Sequence, residues 1–377
     1  MKSLLISIAL LLAAWTVQAQ TCPTPAQLVT DLTAASQGTI INLSGVLSLT
    51  CPEVSMSHVW DGGKLLFSDA PETVSLRGKL YEDTTLGFTS GTVYNRVHAH
   101  HVNGRAAKMK FAILLKNNGT SSGSLIVQQK GVAGPTADFL YAGKLAFLRW
   151  LQSVNSAPVS VPAGSIVRLA MDFETQTSTG NLMTILVDYS FTQNHTLTVC
   201  ALDTGDNPVT ACPGLAVLPR DTHQRGTFPN NAKVYDTAVG TVIDTAQGIM
   251  QLPLAGNTTN DPDAVGVDKT DGSPQQLKGN YGVLYKMHLN TSASDSKKLG
   301  FLFNPRGGVW GGAEYALVGI TPGGKFLNPT GTGGFSDNTK GAVSAKYNPG
   351  TGGLSVWMQW MPTSASNYPL RYIAVPH

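Results

Sequence analysis

The chain has 377 residues, enough for two domains of ordinary size, each with its own core. Its 40 Gly and 21 Pro imply many turns, while a net charge of +3 without any Lys/Arg run excludes a nucleic-acid-binding face. Beyond the leading segment, no apolar run is long enough to span a membrane.

Residues 1–19 read as a signal peptide, with Lys2 at the positive start, an apolar stretch over 4–15, and Val17-Gln18-Ala19 as a small-residue cleavage site. The mature chain is therefore expected to be secreted or at the cell surface, in an extracellular or periplasmic setting. Its four cysteines, Cys22, Cys51, Cys200 and Cys212, suit disulfides in an oxidising compartment. Of the three possible pairings, the local one is expected: Cys22 with Cys51, and Cys200 with Cys212. A zinc site is not indicated, because no two cysteines have C-x-x-C spacing.

Residues 25–36 (PAQLVTDLTAAS) form the best helix of the mature chain. Pro25 sits at a tolerated early position, Leu28, Val29 and Leu32 recur near helical spacing, and Gly38 stops it. Strands are expected at 39–43 and 46–49, making 20–57 a disulfide-tied helix–strand cap. From residue 58 the pattern is β, with short runs separated by Gly, Asp and Pro. The stretch 108–129 turns at Asn117-Asn118-Gly119 like a hairpin. One stretch, 138–154 (DFLYAGKLAFLRWLQSV), suits a helix about as well as a strand. Residues 203–231, rich in Pro, Gly, Asp and Asn, read as a linker between a first domain at 58–202 and a second at 232–377. The expected fold is all-β: two tandem sandwich-like domains, jelly-roll or immunoglobulin-like, after a small N-terminal helix–strand cap.

The two domains share an order of events. Residues 94–135 and 281–322, 187 positions apart, each read as strand, polar turn, basic residue, apolar strand, then an Asn and Gly turn. Without a gap, Tyr94, His101, Asn103, Lys110, Asn117 and Pro135 fall on Tyr281, His288, Asn290, Lys297, Asn304 and Pro322. An old duplication would account for this.

GNYGVLYKMHLN, FNPRGGVWGGA and the closing MPTSASNYPLRYIAVP resemble a group of secreted bacterial β-rich proteins, as do KNNG, KGVAGPTADFLYAGKLAFLRWLQS and DTHQRGTFPN. Some members carry a small stalk domain named after the N-terminal domain of copper amine oxidases. Neither that stalk's pattern nor the oxidase's Asn-Tyr-Asp/Glu cofactor motif is found here. The resemblance implies a bacterial extracellular protein and brings no established catalytic residues.

Several clusters are candidates for chemistry. His98 and His100, two apart on a strand, share a face and could share a metal, with His101 on the other face; the bland alternative is a solvated polar face. Asp261, Asp263, Asp268 and Asp271 (within NDPDAVGVDKTD) offer oxygens for a structural calcium clamping a long loop, although the spacing is not that of an EF-hand. Trp310, Trp357, Trp360, Tyr315 and Arg306, the last in an Arg-Gly-Gly turn, form a candidate sugar-binding set. Trp357 and Trp360 must face opposite ways, so one is expected in the core. Asp221, His223 and Arg225 form a mixed polar cluster at the domain junction. The G-x-S-x-G spacing occurs at Gly119-Thr120-Ser121-Ser122-Gly123, but inside the expected hairpin turn rather than at a strand-to-helix elbow, and no H-E-x-x-H helix or P-loop is present. Carboxylates that could pair in space for glycoside hydrolysis are Glu82, Asp83, Glu174, Asp188 and Glu314.

The leading functional expectation is a secreted non-catalytic envelope or matrix protein, structural or adhesive, binding carbohydrate through its second domain. Its expected partner is cell wall or extracellular polysaccharide. An extracellular polysaccharide hydrolase is the alternative. A surface or filament subunit assembling with copies of itself is a third, because β domains have edges that pair.

Overall fold

The computed structural model describes residues 22–47, 49–89, 92–306, 308–319, 325–327 and 338–377. The signal peptide expected at 1–19 and Gly307 of the Arg-Gly-Gly turn lie outside them, as does Pro322 of the internal repeat. The chain is nearly all β, and its strands build two sandwiches.

The two sandwiches repeat one eight-strand topology. In the first, Leu65–Ser68, Asn95–Asn103, Leu182–Phe191 and Gly123–Thr136 lie side by side in that order. In the second, the same places are taken by Ala232–Thr237, Leu284–Ser292, Leu354–Trp360 and Glu314–Val318. The first pair is parallel in both, and the other pairs are antiparallel. The facing sheets match as well. Ile166–Arg168, Met109–Asn117, His195–Asp203 and Gly78–Leu86 correspond to Lys340–Tyr347, Leu299–Asn304, Leu370–Pro376 and Met250–Leu254, all antiparallel. Strand, crossing to the other sheet, and return is thus the common event behind the repeat at 94–135 and 281–322.

Period-two alternation builds each core. Val97, Ala99, Ile113, Leu115, Ile185 and Val187 fill the first; Tyr285, Met287, Leu289, Phe301, Met358 and Trp360 fill the second. Burying such side chains contributes about 1.5–3 kcal/mol each.

The pairing crosses the ranges 58–202 and 232–377 in both directions. Met56–Asp61, just before the first strand of the first sandwich, pairs with Ala232–Thr237 of the second. Arg225–Phe228, just before the first strand of the second sandwich, pairs with Leu65–Ser68 of the first. Each sandwich thus lends an edge strand to the other. Ala264–Val267 and Pro274–Leu277 extend the first sandwich further. The 203–231 stretch is therefore more than a linker: a four-residue strand within it is too short for periodicity to reveal.

The N-terminal cap also docks on the second sandwich. Helix Ala26–Ala34 places Leu28 and Leu32 with Leu302, Val343, Ile373 and Val375, and Ile40–Asn42 pairs with Lys340–Tyr347. The Lys346 ammonium donates to the carbonyls of Leu32, Thr33 and Ala35 at the helix end, where the dipole favours a cation. The strand expected at 46–49 is replaced by a helical turn, Ser44–Leu47. Both disulfides have the expected local pairing, Cys22–Cys51 and Cys200–Cys212.

The ambiguous stretch is a helix, Phe139–Gln152, capped by the Asp138 carboxylate accepting from the Tyr141 amide. It lies on the outer face of the first sandwich, against Gly123–Thr136 and Leu182–Phe191. Gly131 permits that approach: a Cβ there would sit 1.8 Å from the Ala146 carbonyl oxygen. Phe147 and Trp150 then meet Ala232, Leu284 and Met361 of the second sandwich, so the helix is wedged between the two.

Candidate functional site

The outward residues of the two matching strands have opposite fates. On Asn95–Asn103, Arg96, His98 and His100 project away from the core and are buried all the same, each at most 2% exposed. The Arg96 guanidinium forms a two-pronged pair with Asp188 at 2.6 and 2.7 Å and donates to the carbonyls of Asn231 and Gly282 at 2.9 Å. It also lies 4.7 Å over the Trp150 ring. His98 shares a 2.9 Å hydrogen bond through Nε2 with the Ser364 hydroxyl. Gly282, at a positive φ of 81°, leaves room for the His98 ring, since a Cβ there would stand 2.8 Å from Nδ1.

His98 and His100 therefore share a face, as the alternation requires, but reach different partners. His98 is taken by Ser364 of the second sandwich. His100 meets Asp69 and Glu72, with one ligand atom from each of the three lying within 4.8 Å of the others. Burial pushes the His98 imidazole down to about 3 and the His100 imidazole well below its ordinary range, so both are neutral. His101, on the inner face, lies 2.9 Å from the Ser68 hydroxyl and 2.9 Å from the Pro71 carbonyl. Asp221 accepts from the Glu72 amide at 2.9 Å and holds His223 Nδ1 at 3.0 Å, while His223 Nε2 lies 3.5 Å from the Glu72 carboxylate. Arg225 is directed elsewhere, to Asp268 and three backbone carbonyls. Asp69 and Glu72 were not singled out from sequence; the only signal is the D-x-x-E spacing after an apolar strand.

On Leu284–Ser292 the outward residues Lys286, His288 and Asn290 stay partly or fully open. Trp357, directly across from His288, is 41% exposed and stacks on its imidazole at 3.9 Å between centroids and 15° between planes. Asp236 holds His288 Nδ1 at 3.0 Å from the next strand. Along the same face the Ser355 hydroxyl donates to Asn290, and Gln359 and Tyr315 are register neighbours. Beyond Asn290 and Ser355 the face opens into a cleft of about 420 Å³ lined by Thr291, Ser292, Thr351, Gly352, Gly353 and Leu354.

Of the expected aromatic set, Trp357 and Tyr315 share this open face. Trp310 and Trp360 are core residues, at 1% and 0% exposure, packed on Phe303; they cannot touch a ligand without unfolding the sandwich. Arg306 is exposed on the turn after Leu299–Asn304. His288 is the residue missed beside Trp357; the outward alternation of Lys286, His288 and Asn290 was its signal.

The four aspartates do not converge. Asp261 accepts from Lys233 and Tyr235 at 2.6 Å and from Tyr285 at 3.1 Å. Asp263 accepts from the Gly279 amide and Gln276, Asp268 from Arg225 and Thr270, and Asp271 from Ser273. Protein donors clamp this loop, and the calcium expectation loses its shared ligand set. The carboxylates considered for hydrolysis are also engaged: Asp188 by Arg96, Glu174 by Arg168, Glu82 by Lys79 and Thr198, and Asp83 by Thr85 and Thr227. Glu314 is buried in the second core, where loss of water pushes its carboxyl up to about 7.

No known protein family matches the chain, and no curated protein does. Among solved structures, the CUB1-EGF-CUB2 domain of human MASP-1/3 aligns over 80% of this chain and 98% of its own at 10% identity, with a TM-score of 0.20. The 11S allergen from Cocos nucifera aligns over 81% of this chain and 90% of its own at 9% identity and TM-score 0.12. Fet3p, a multicopper oxidase that functions in iron import, aligns over 80% and 61% at 9% identity and TM-score 0.11. Likenesses this weak carry no argument about fold or function. Among the described residues no helix is long and apolar enough to cross a membrane.

Proposed function

We propose that this is an extracellular, non-catalytic envelope or matrix protein of structural or adhesive type that holds polysaccharide on the open face of its second sandwich. The exposed Trp357–His288 stack carries this reading. A large aromatic left in water on a polar sheet gives up hydrophobic stabilisation, whereas apolar faces of sugar rings repay its exposure. Asn290, Ser355 and Gln359 supply hydroxyl-matching donors and acceptors, and the adjoining cleft extends the track along the strands. Two disulfides suit an oxidising, extracellular setting.

The test is retention of the purified protein on insoluble cell wall and polysaccharides, with soluble sugar assayed in the same tubes. Retention without product, abolished in Trp357→Ala, is the expected result. Release of soluble sugar, or unchanged retention in Trp357→Ala, would overturn the proposal.

A further inference from the structure

Where the first sandwich meets the second, acidic groups gather around a buried imidazole. Asp69 and Glu72 follow the Leu65–Ser68 strand, and His100 comes from the neighbouring Asn95–Asn103 strand. Two polar atoms there lack a partner: Asp69 Oδ1 and His100 Nδ1 are both buried without a hydrogen bond. Leaving such groups unsatisfied costs about 1–3 kcal/mol each; on the same strand His98 Nδ1 is also without a partner, but it faces no carboxylate pair, while both ring nitrogens of His101 are engaged. His100 is only 2% exposed, and its ring is held edge-on against Phe139.

We propose that Asp69, Glu72 and His100 form a binding site for one divalent first-row transition-metal ion of the Zn²⁺ or Mn²⁺ class. One imidazole with two carboxylates is a donor set for such ions, whereas Ca²⁺ and Mg²⁺ favour oxygen alone. Glu72 has 25% of its side chain exposed and gives the ion its access route. On that side Asp221 and His223 hold Glu72 and also line a polar cleft of about 800 Å³. They are positioning residues in an outer shell.

The experiment uses the untagged mature protein, stripped with chelator and titrated with ZnCl₂ and with MnCl₂ by calorimetry, with metal content measured after gel filtration. One ion per chain and a raised Tm are expected for at least one of the two metals. Asp69→Asn and Glu72→Gln keep side-chain shape, and each is expected to weaken binding by about tenfold or more. Their Tm in chelator checks the fold, and Asp69→Asn alone should hold or gain stability there. If neither metal binds stoichiometrically, or if both variants bind as the parent does, the site does not exist. Because the readout involves no polysaccharide, its outcome is independent of the Trp357 proposal.

Discussion

The same strand sits at the same place in both sandwiches, yet Asn95–Asn103 turns Arg96, His98 and His100 into a sealed junction, while Leu284–Ser292 turns Lys286, His288 and Asn290 toward water. The difference is a cover. The helix Phe139–Gln152 and residues 362–366 lie over the first face; among the described residues the second has no such helix. Polar residues thus mean opposite things on the two strands. Under the cover each needs a specific partner, and in the open they keep solvent-accessible partners and stay within reach of a ligand.

The sharpest way to break this contrast is to remove a cation from each face. Arg96→Met leaves Asp188 buried and unpaired and is expected to cost about 3–5 kcal/mol in denaturant unfolding. Lys286→Met removes the half-exposed 2.8 Å pair with Asp61, where about 0–1 kcal/mol is expected. Equal losses would show that the cover does not control the energetics.

A second test uses the pH dependence of two buried groups, Glu314 in the second core and His98 under the cover. Glu314 keeps its proton up to about 7 in the fold, while the unfolded chain releases it near 4.5. The fold binds the extra proton in that window, so this group lowers stability as pH rises from 4.5 to 7. Glu314→Gln is expected to match the parent near pH 4.5 and exceed it by about 3 kcal/mol above pH 7. A gap that does not widen with pH would contradict the assignment.

His98 acts in the opposite sense. Its folded value of about 3 lies below the unfolded 6.5, so the unfolded chain takes up a proton that the fold refuses. Stability from this group is present above 6.5 and is lost as pH falls toward 3. By pH 5 its share is about 2 kcal/mol. Plotting unfolding free energy against pH should therefore give a shallower acid limb for His98→Gln than for the parent.

A small stability effect, of the same order as for Lys286→Met, is expected of Trp357→Ala, about 1 kcal/mol or less by thermal unfolding, since the indole is exposed. Trp360→Ala, three residues on and fully buried, is expected to cost about 3–5 kcal/mol. A large loss for Trp357 would make it a structural residue and weaken its role in binding.

Much of the second-sandwich face was legible beforehand. The odd spacing of Trp357 and Trp360 required one in and one out, and that is how they lie. Trp310 gave no such signal, because it sits on a loop-side bridge where no alternation assigns a face. The histidine cluster was half legible: the shared face of His98 and His100 follows from period two, but their separate partners do not. Asp69 is 31 residues from His100 in sequence, and Ser364 is 266 residues from His98. No local pattern encodes either meeting.

The amino-acid sequence by itself determined the β class, an even set of cysteines suited to two disulfides, the repeated order of strands and the side of each sheet to which a residue turns. These follow from cysteine count, turn residues and an alternation written into neighbouring positions. Only the tertiary structure decided the exchange of edge strands, the covering of one outer face and the exposure of the other, and the meeting of His100 with Asp69 and Glu72. Alternation tells which way a side chain points. What stands there depends on contacts between segments far apart in the chain, and those exist only once the sheets have packed.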